Sequence, residues 1–197
     1  MSADNFGLTK IAAAGLSGQL PQGAEVGVRG FAADFFATNG REIAFIKWLQ
    51  ANRMDVQAYV AGFARLDEDA AIGARFVPDL PKLAGLFIVW DTPAPAVSHK
   101  LCELGKSLPT ATVDLGKVVV IDIARKGSVC CIEAQQHDQQ GIAAAQTVIF
   151  SLLGRPIPAW FALPSIGVTR DNVVESFQTI WRQPAPKEVI HALGLAR

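Results

Sequence analysis

Residues Phe87 to Pro95 read FIVWDTPAP. An apolar run passes into a Trp-Asp pair, and the chain then turns through two prolines. A short continuous apolar run closed by turn residues suits a strand buried on both faces. Pro93, just beyond it, suits the opening turn of a helix. The stretch raises a choice about Trp90 and Asp91. Trp90 is either core or a binding surface, and Asp91 is either a cap for the next helix or a ligand group.

Outward from this stretch the same strand-then-helix rhythm recurs. Strands are expected over Glu25–Phe31, Val56–Phe63, Gly85–Trp90, Ala111–Asp114 and Ser128–Ala134, with an extended segment over Trp160–Val168. Helices are expected over Asp4–Leu20, capped by Asp4 or Asn5 with Leu8, Ile11 and Ala12 inward, and over Arg41–Asn52 with Ile43, Ile46 and Trp48 inward. Further helices are expected over Leu66–Val77, Ala94–Leu104, Val118–Ala124, Gln139–Leu153 and Asn172–Trp181. Alternating strands and helices predict a flavodoxin-like three-layer α/β fold: a parallel sheet of about five to six strands, helices on both faces and right-handed crossovers. No internal repeat or low-complexity segment interrupts the pattern.

Composition narrows the function classes. The 197 residues carry no net charge, half are hydrophobic and 18% are charged, which suits a folded domain or one large lobe. There is no basic excess of the kind that nucleic-acid binding calls for. The apolar run Leu83–Trp90 is far too short to cross a bilayer. The opening MSADNFGLTK lacks the pattern of an export signal, so the chain as given would stay in the cytoplasm. Of the three cysteines, Cys130 and Cys131 are adjacent; in a regular strand they would face opposite ways, which predicts small buried residues and no bridge. His99, His137 and His191 lack metal-ligand spacing, and no metal or cofactor is expected.

In a parallel sheet, ligands sit beyond the C-terminal strand ends. The residues there, or just after them, are Arg41, Phe63, Trp90, Asp91, Asp114 and Gln135. Carboxylates and amides accept from hydroxyl pairs, a guanidinium donates in a fixed fork, and an aromatic face packs on the apolar side of a sugar ring. Each residue also has an ordinary reading: Asp114 shaping a turn, Gln135 capping a helix, Arg41 pairing with Glu42 or meeting solvent. Enzyme motifs are missing. GVRGFA has the wrong spacing for a dinucleotide loop, no phosphate-binding loop is present, and Asp114 lacks the acidic cluster of a phospho-acceptor site. A Cys131-His137-Asp138 nucleophile set can be drawn but has no orienting third group.

SADNFGLTKIAA, the Arg41-Glu-x-x-Phe45 segment, FIVWDTPA, TVDLG, AQQHDQQG and VTRDN, in that order, resemble the C-terminal lobe of type I periplasmic sugar-binding proteins. These are the ribose- and galactose-binding components of ABC importers, related to the effector domains of LacI-type regulators. The resemblance implies a sugar-binding lobe and no enzyme, with Arg41, Phe63, Trp90, Asp91, Asp114 and Gln135 as ligand contacts and Asp4-Asn5 at a hinge. Trp90 departs from the amide usual at its position. The resemblance further implies that residues 1–136 and 165–197 form the lobe and that 137–164 pack on an N-terminal lobe with no counterpart before Ser2. It implies a periplasmic location, an ABC permease as partner, and a monosaccharide or small polyol held weakly by this lobe alone. An effector-domain fragment of a LacI-type regulator is the alternative. The apolar stripe Ile142, Ala145, Ile149 and Leu152, with Val148 and Leu153 beside it, must be covered. The expectation is that it folds back on this lobe or pairs with a second copy through helix 139–153.

Overall fold

The computed structural model describes residues 2–65 and 82–195. The strands are β1 (Ser2–Ala3), β2 (Glu25–Phe31), β3 (Gln57–Phe63), β4 (Leu83–Ile88), β5 (Thr110–Val113), β6 (Val129–Ala134), β7 (Ala162–Leu163) and β8 (Ile166–Val168). The helices are α1 (Asn5–Ser17), α2 (Phe36–Asn52), α3 (Ala94–Glu103), α4 (Lys117–Ala124), α5 (His137–Leu152), α6 (Val173–Trp181) and α7 (Lys187–Ala192). A six-stranded sheet runs in the order β3-β2-β4-β5-β6-β8, parallel except for β8, which is antiparallel to β6. A second, two-stranded sheet pairs β1 with β7. The parallel α/β architecture is the expected one; the helix expected over Leu66–Val77 lies outside the described residues. Among the described residues, no helix is long and apolar enough to cross a membrane.

Period-2 alternation sorts the strand side chains between two apolar layers. In β4, Leu86 and Ile88 enter the layer shared with α3, α4, α6 and α7. Phe87 and Val89, one residue out of phase, enter the layer under α1 and α2. Phe87 meets Phe45 of α2 in a stacked pair, centroids 4.2 Å apart and nearly coplanar at 5°. Both rings are fully buried. α2 begins earlier than its Arg41 signal, and its inward face is Thr38, Arg41, Ala44, Phe45 and Leu49. Ile43, expected inward, is exposed, as is Ile11 of α1. The reason is phase: once Phe45 and Leu49 anchor the helix, Ile43 lies on its far side.

The β5–β6 pairing departs from regularity in one place. Thr110 is opposite Val129, yet Ala111 is opposite Cys131, so Cys130 is an extra residue in β6. A bulge of this kind breaks the facing alternation of neighbouring side chains. The two thiols, expected on opposite faces, lie 3.8 Å apart.

Among the described residues, α5 differs from the other long helices in having no buried residue. Its first turn is tied to the body by Asp138, which accepts a hydrogen bond from Arg182 Nε at 3.0 Å. His137 packs on Trp181 at 5.2 Å. Beyond that turn, Ile142, Val148, Ile149, Leu152 and Leu153 are exposed. The stripe therefore does not fold back on this lobe. These contacts also dissolve the Cys131-His137-Asp138 set: Cys131 Sγ points at the Ala12 carbonyl beneath α1, 3.6 Å away, while His137 and Asp138 face α6 and the Arg182 next to its end.

One acid is sealed in the core. Glu133 of β6 is fully buried, and neither carboxylate oxygen has a hydrogen bond of good geometry. Burial pushes its pKa up to about 8, the nearby Ser165 hydroxyl offsetting part of the effect and the Asp4 charge adding to it.

This packing sets distinct costs for the two faces of α2. Phe45→Ala should cost about 3–5 kcal/mol in urea unfolding, the usual loss for a buried phenylalanine, whereas Ile43→Ala should fall within about 0.5 kcal/mol of the parent. Glu133 predicts a pH dependence. Its folded pKa lies above that of an unfolded glutamate, so its contribution is complete below about pH 4.5 and is lost as pH rises towards about 8. Stability should fall with pH across that window, and Glu133→Gln should flatten the fall, as read from urea midpoints at stepped pH.

Candidate ligand-binding site

The C-terminal ends of β4, β5 and β6 open onto a groove of about 450 Å³. Arg41, Trp90, Asp91, Asp114 and Gln135 line it, together with Asn5, Ser2, Ala3, Thr38 and the aromatic pair Phe35-Phe36. Of the six residues expected at a site, five therefore reach one cavity. Phe63 does not: it is fully buried. Of the hinge pair, Asn5 lines the groove, while Asp4 caps α1 by accepting from the Gly7 amide at 2.9 Å.

Arg41 organises the floor. Its guanidinium is almost wholly buried. Nη1 donates to the Val89 carbonyl at 2.8 Å and to Asp114 Oδ2 at 3.0 Å. Nε donates to Asn5 Oδ1 at 3.2 Å. One side chain on α2 thus ties together the start of α1, the end of β4 and the end of β5. The planar fork of an arginine can serve several fixed acceptors in this way, whereas a lysine presents a single point of charge. Gln135, at the end of β6, donates from Nε2 to Asp114 Oδ1 and accepts from Gln140 Nε2 at 3.3 Å. Arg41 therefore pairs neither with Glu42 nor with solvent, and the Gln135 side chain does not cap the helix after it.

Asp114 does shape a turn, with a left-handed φ of 76°. Asp91 is not a side-chain cap of α3. It reaches across to the next strand end, where Oδ2 accepts from the Gly116 amide at 2.6 Å, and Oδ1 accepts from Thr92 Oγ1 at 3.3 Å. A side chain at Gly116 would collide with that carboxylate, so the close approach requires glycine. Burial, then the nearby Asp114 charge, raises the Asp91 pKa above the usual carboxylate value. Asp91 and Asp114 differ in one respect that matters for a ligand: Asp114 carries a guanidinium on its oxygens and Asp91 does not.

Trp90 is both half-core and groove wall. Its ring lies 5.0 Å from Phe31 and 5.2 Å from Phe63. Phe31 and Phe63 are themselves 5.4 Å apart, and the three rings support one another. Beneath Phe63 the Arg29 guanidinium sits 5.6 Å from the ring centroid and donates to the Ala61 carbonyl at 2.7 Å. Phe63 thus backs Trp90 from inside. Phe35 and Phe36, absent from the six residues expected at strand ends, lie just after β2 and are 53% and 69% exposed. Because α2 begins ahead of Arg41, Phe35 is its N-cap and Phe36 its first residue, which puts the pair at the helix start beyond the end of β2.

Arg41→Ala would leave Asp114 without its cation and the Val89 carbonyl without its donor. Breaking a buried pair costs about 3–5 kcal/mol; because Asp114 is partly exposed, a loss of about 2–3 kcal/mol in urea unfolding is expected. Arg41→Lys should recover less than half of it.

No protein-family model and no curated protein matches the chain. Solved structures do. A sugar ABC transport system substrate-binding protein from Bordetella parapertussis superposes with a TM-score of 0.80 at 17% identity, covering 94% of this chain and 61% of its own. An ABC transporter solute-binding protein from Agrobacterium vitis bound to α-D-tagatopyranose gives 0.81 at 19% identity, covering 93% and 62%. A periplasmic solute-binding protein from Actinobacillus succinogenes with bound D-allose gives 0.77 at 15%, covering 87% and 60%. The chain has the fold of these sugar-transport binding proteins and spans about 60% of their length.

Proposed function

We propose that the chain is one lobe of a sugar- or polyol-binding protein of an ABC-type importer, working in the periplasm with an ABC permease. The observation that carries the reading is the meeting of Arg41, Trp90, Asp91, Asp114 and Gln135 around one groove at the C-terminal sheet edge. A polyol presents adjacent hydroxyls on one side and C–H bonds on the other. Asp91, with acceptor capacity left after its bond to Gly116, would take a hydroxyl pair; Trp90 and the exposed Phe35-Phe36 pair would cover the C–H face. Arg41, Asp114 and Gln135 would form a rigid polar floor whose side chains are already set, so that little ordering is left for the ligand to drive. Solved structures with this fold that hold tagatopyranose, allose or D-fucose support the choice of ligand class.

The groove is open, and a ligand in it touches one wall. Affinity in such sites comes from enclosure, so this lobe alone should bind weakly. The exposed apolar side chains of α5, and Trp160 beyond it, support a division in which residues 1–136 and 165–197 form this lobe and 137–164 pack on a second one. The second lobe would supply both the missing wall and the cover for that stripe.

Two-dimensional NMR of the chain with tagatose, allose, fucose and allitol tests the reading. At least one should move the Trp90 indole signal along a saturable curve with a Kd in the millimolar range, and Trp90→Ala should remove the response. No saturable shift with any of them would overturn the sugar assignment, and micromolar affinity would overturn the single-wall account.

A further inference from the structure

Cys130 and Cys131 play no part in the groove. They sit at the opposite, N-terminal end of β6, and what they could do depends on the extra residue in that strand. The slip that sets Thr110 against Val129 and Ala111 against Cys131 brings two successive thiols to 3.8 Å. A disulfide requires about 2.05 Å between sulfurs. Two thiolates on one tetrahedral ion, each bonded at about 2.3 Å, stand about 3.8 Å apart. The observed spacing of the pair matches that of two sulfurs on a shared central atom.

We propose that Cys130 and Cys131 form a vicinal dithiol site that captures a soft, thiophilic acceptor through both sulfurs.

Three features of the surroundings support this. Access comes from the strand's edge: β8 pairs with β6 only from Ile132 to Ala134, so both cysteines lie past its end, and Cys130 is only half-buried. Room comes from α1. Cys131 Sγ lies under Gly15, where a Cβ would stand 2.8 Å from the sulfur and 3.1 Å from the Cys131 Cβ, so only glycine leaves the thiol its place. Reactivity is divided between the two. The contact between the two sulfurs holds Cys130 below the range of a free thiol, while the same contact and burial push Cys131 up. Cys130 is the first attacker and Cys131 the second ligand.

The ligand count sets the class of acceptor. No group of three or more histidine, cysteine or acidic side chains is placed to hold a metal among the described residues. A structural zinc ion, which wants four protein ligands, is therefore not served. An acceptor that needs two sulfurs and brings its remaining substituents is served: an aryl arsenical of trivalent arsenic, or a cadmium ion that keeps water in its open positions. With phenylarsine oxide the balance is simple. Two S–H bonds break, two As–S bonds form, and the arsenic oxygen leaves with both protons as water; nothing is oxidised or reduced. With Cd²⁺ two protons pass to solvent as two Cd–S bonds form.

The test uses phenylarsine oxide and Cd²⁺ on the native chain, with Cys102, the exposed third thiol, as internal control. One arsenical per chain should remove two of the three Ellman-reactive thiols together, and intact mass should show a single adduct formed with loss of water. Cys102→Ser should keep the adduct and give a thiolate-to-cadmium absorption band at one equivalent. Cys130→Ser should abolish both while leaving the far-ultraviolet circular dichroism unchanged. Gly15→Ala, which keeps every sulfur, should weaken arsenical binding about tenfold, as a disturbed supporting shell does. The proposal is overturned if native wild type gives no bridged adduct, if the adduct survives Cys130→Ser, or if it forms only in denaturant. Should Cys131→Ser fail to fold, Cys130→Ser and Gly15→Ala still decide the matter.

Discussion

A buried guanidinium holds this lobe's site together. Removing an arginine from water is costly unless its donors are met, and Arg41 meets that demand with acceptors from three places: Asn5 on α1, the Val89 carbonyl after β4, and Asp114 after β5. Those partners are far apart in sequence, and the charge can be satisfied only when α1, β4 and β5 are in register around α2. The groove is the space left above this knot. Its floor is rigid for the same reason that it is stable: Asp114, already engaged by Arg41 and Gln135, has little freedom to rearrange.

Asp91 stands outside the knot. Its own bond runs to the Gly116 amide, and burial together with the Asp114 charge disfavours its ionised form. Two carboxylates at one cavity thus have separate tasks, one spent on structure and one with capacity to spare. The aromatic wall is built on the same plan. Phe63 is spent on supporting Trp90, which leaves the Trp90 face and the exposed Phe35-Phe36 pair to meet whatever enters.

The open side of the molecule fits this division. α5 is tied to the body at its first turn and carries an apolar stripe to solvent, and β1 pairs with β7 in a separate two-stranded sheet. The cysteine pair lies at the far end of β6 and answers to a different cause, a one-residue slip in pairing rather than the convergence of strand ends.

Apolar spacing along the chain is enough to set the alternation of strands and helices, and with it the parallel sheet, because that spacing switches cleanly between periods of 2 and 3.6. It is also enough to put Trp90, Asp91, Asp114 and Gln135 at strand ends or just beyond, with Arg41 on the helix after β2, and a parallel sheet gathers its strand ends on one edge whatever the details of packing. Phase and partner are another matter, and they are settled only by packing between distant segments. Ile43 and Phe45 sit two residues apart on one amphipathic helix, and only the stacking of Phe45 on Phe87 says which faces inward. Phe63 ends its strand much as Trp90 does, yet one is sealed and the other lines the groove, because the rings pack in a particular order. Cys130 and Cys131 face opposite ways in any regular strand; the pairing slip between β5 and β6 is a contact between distant segments, and local spacing holds no record of it.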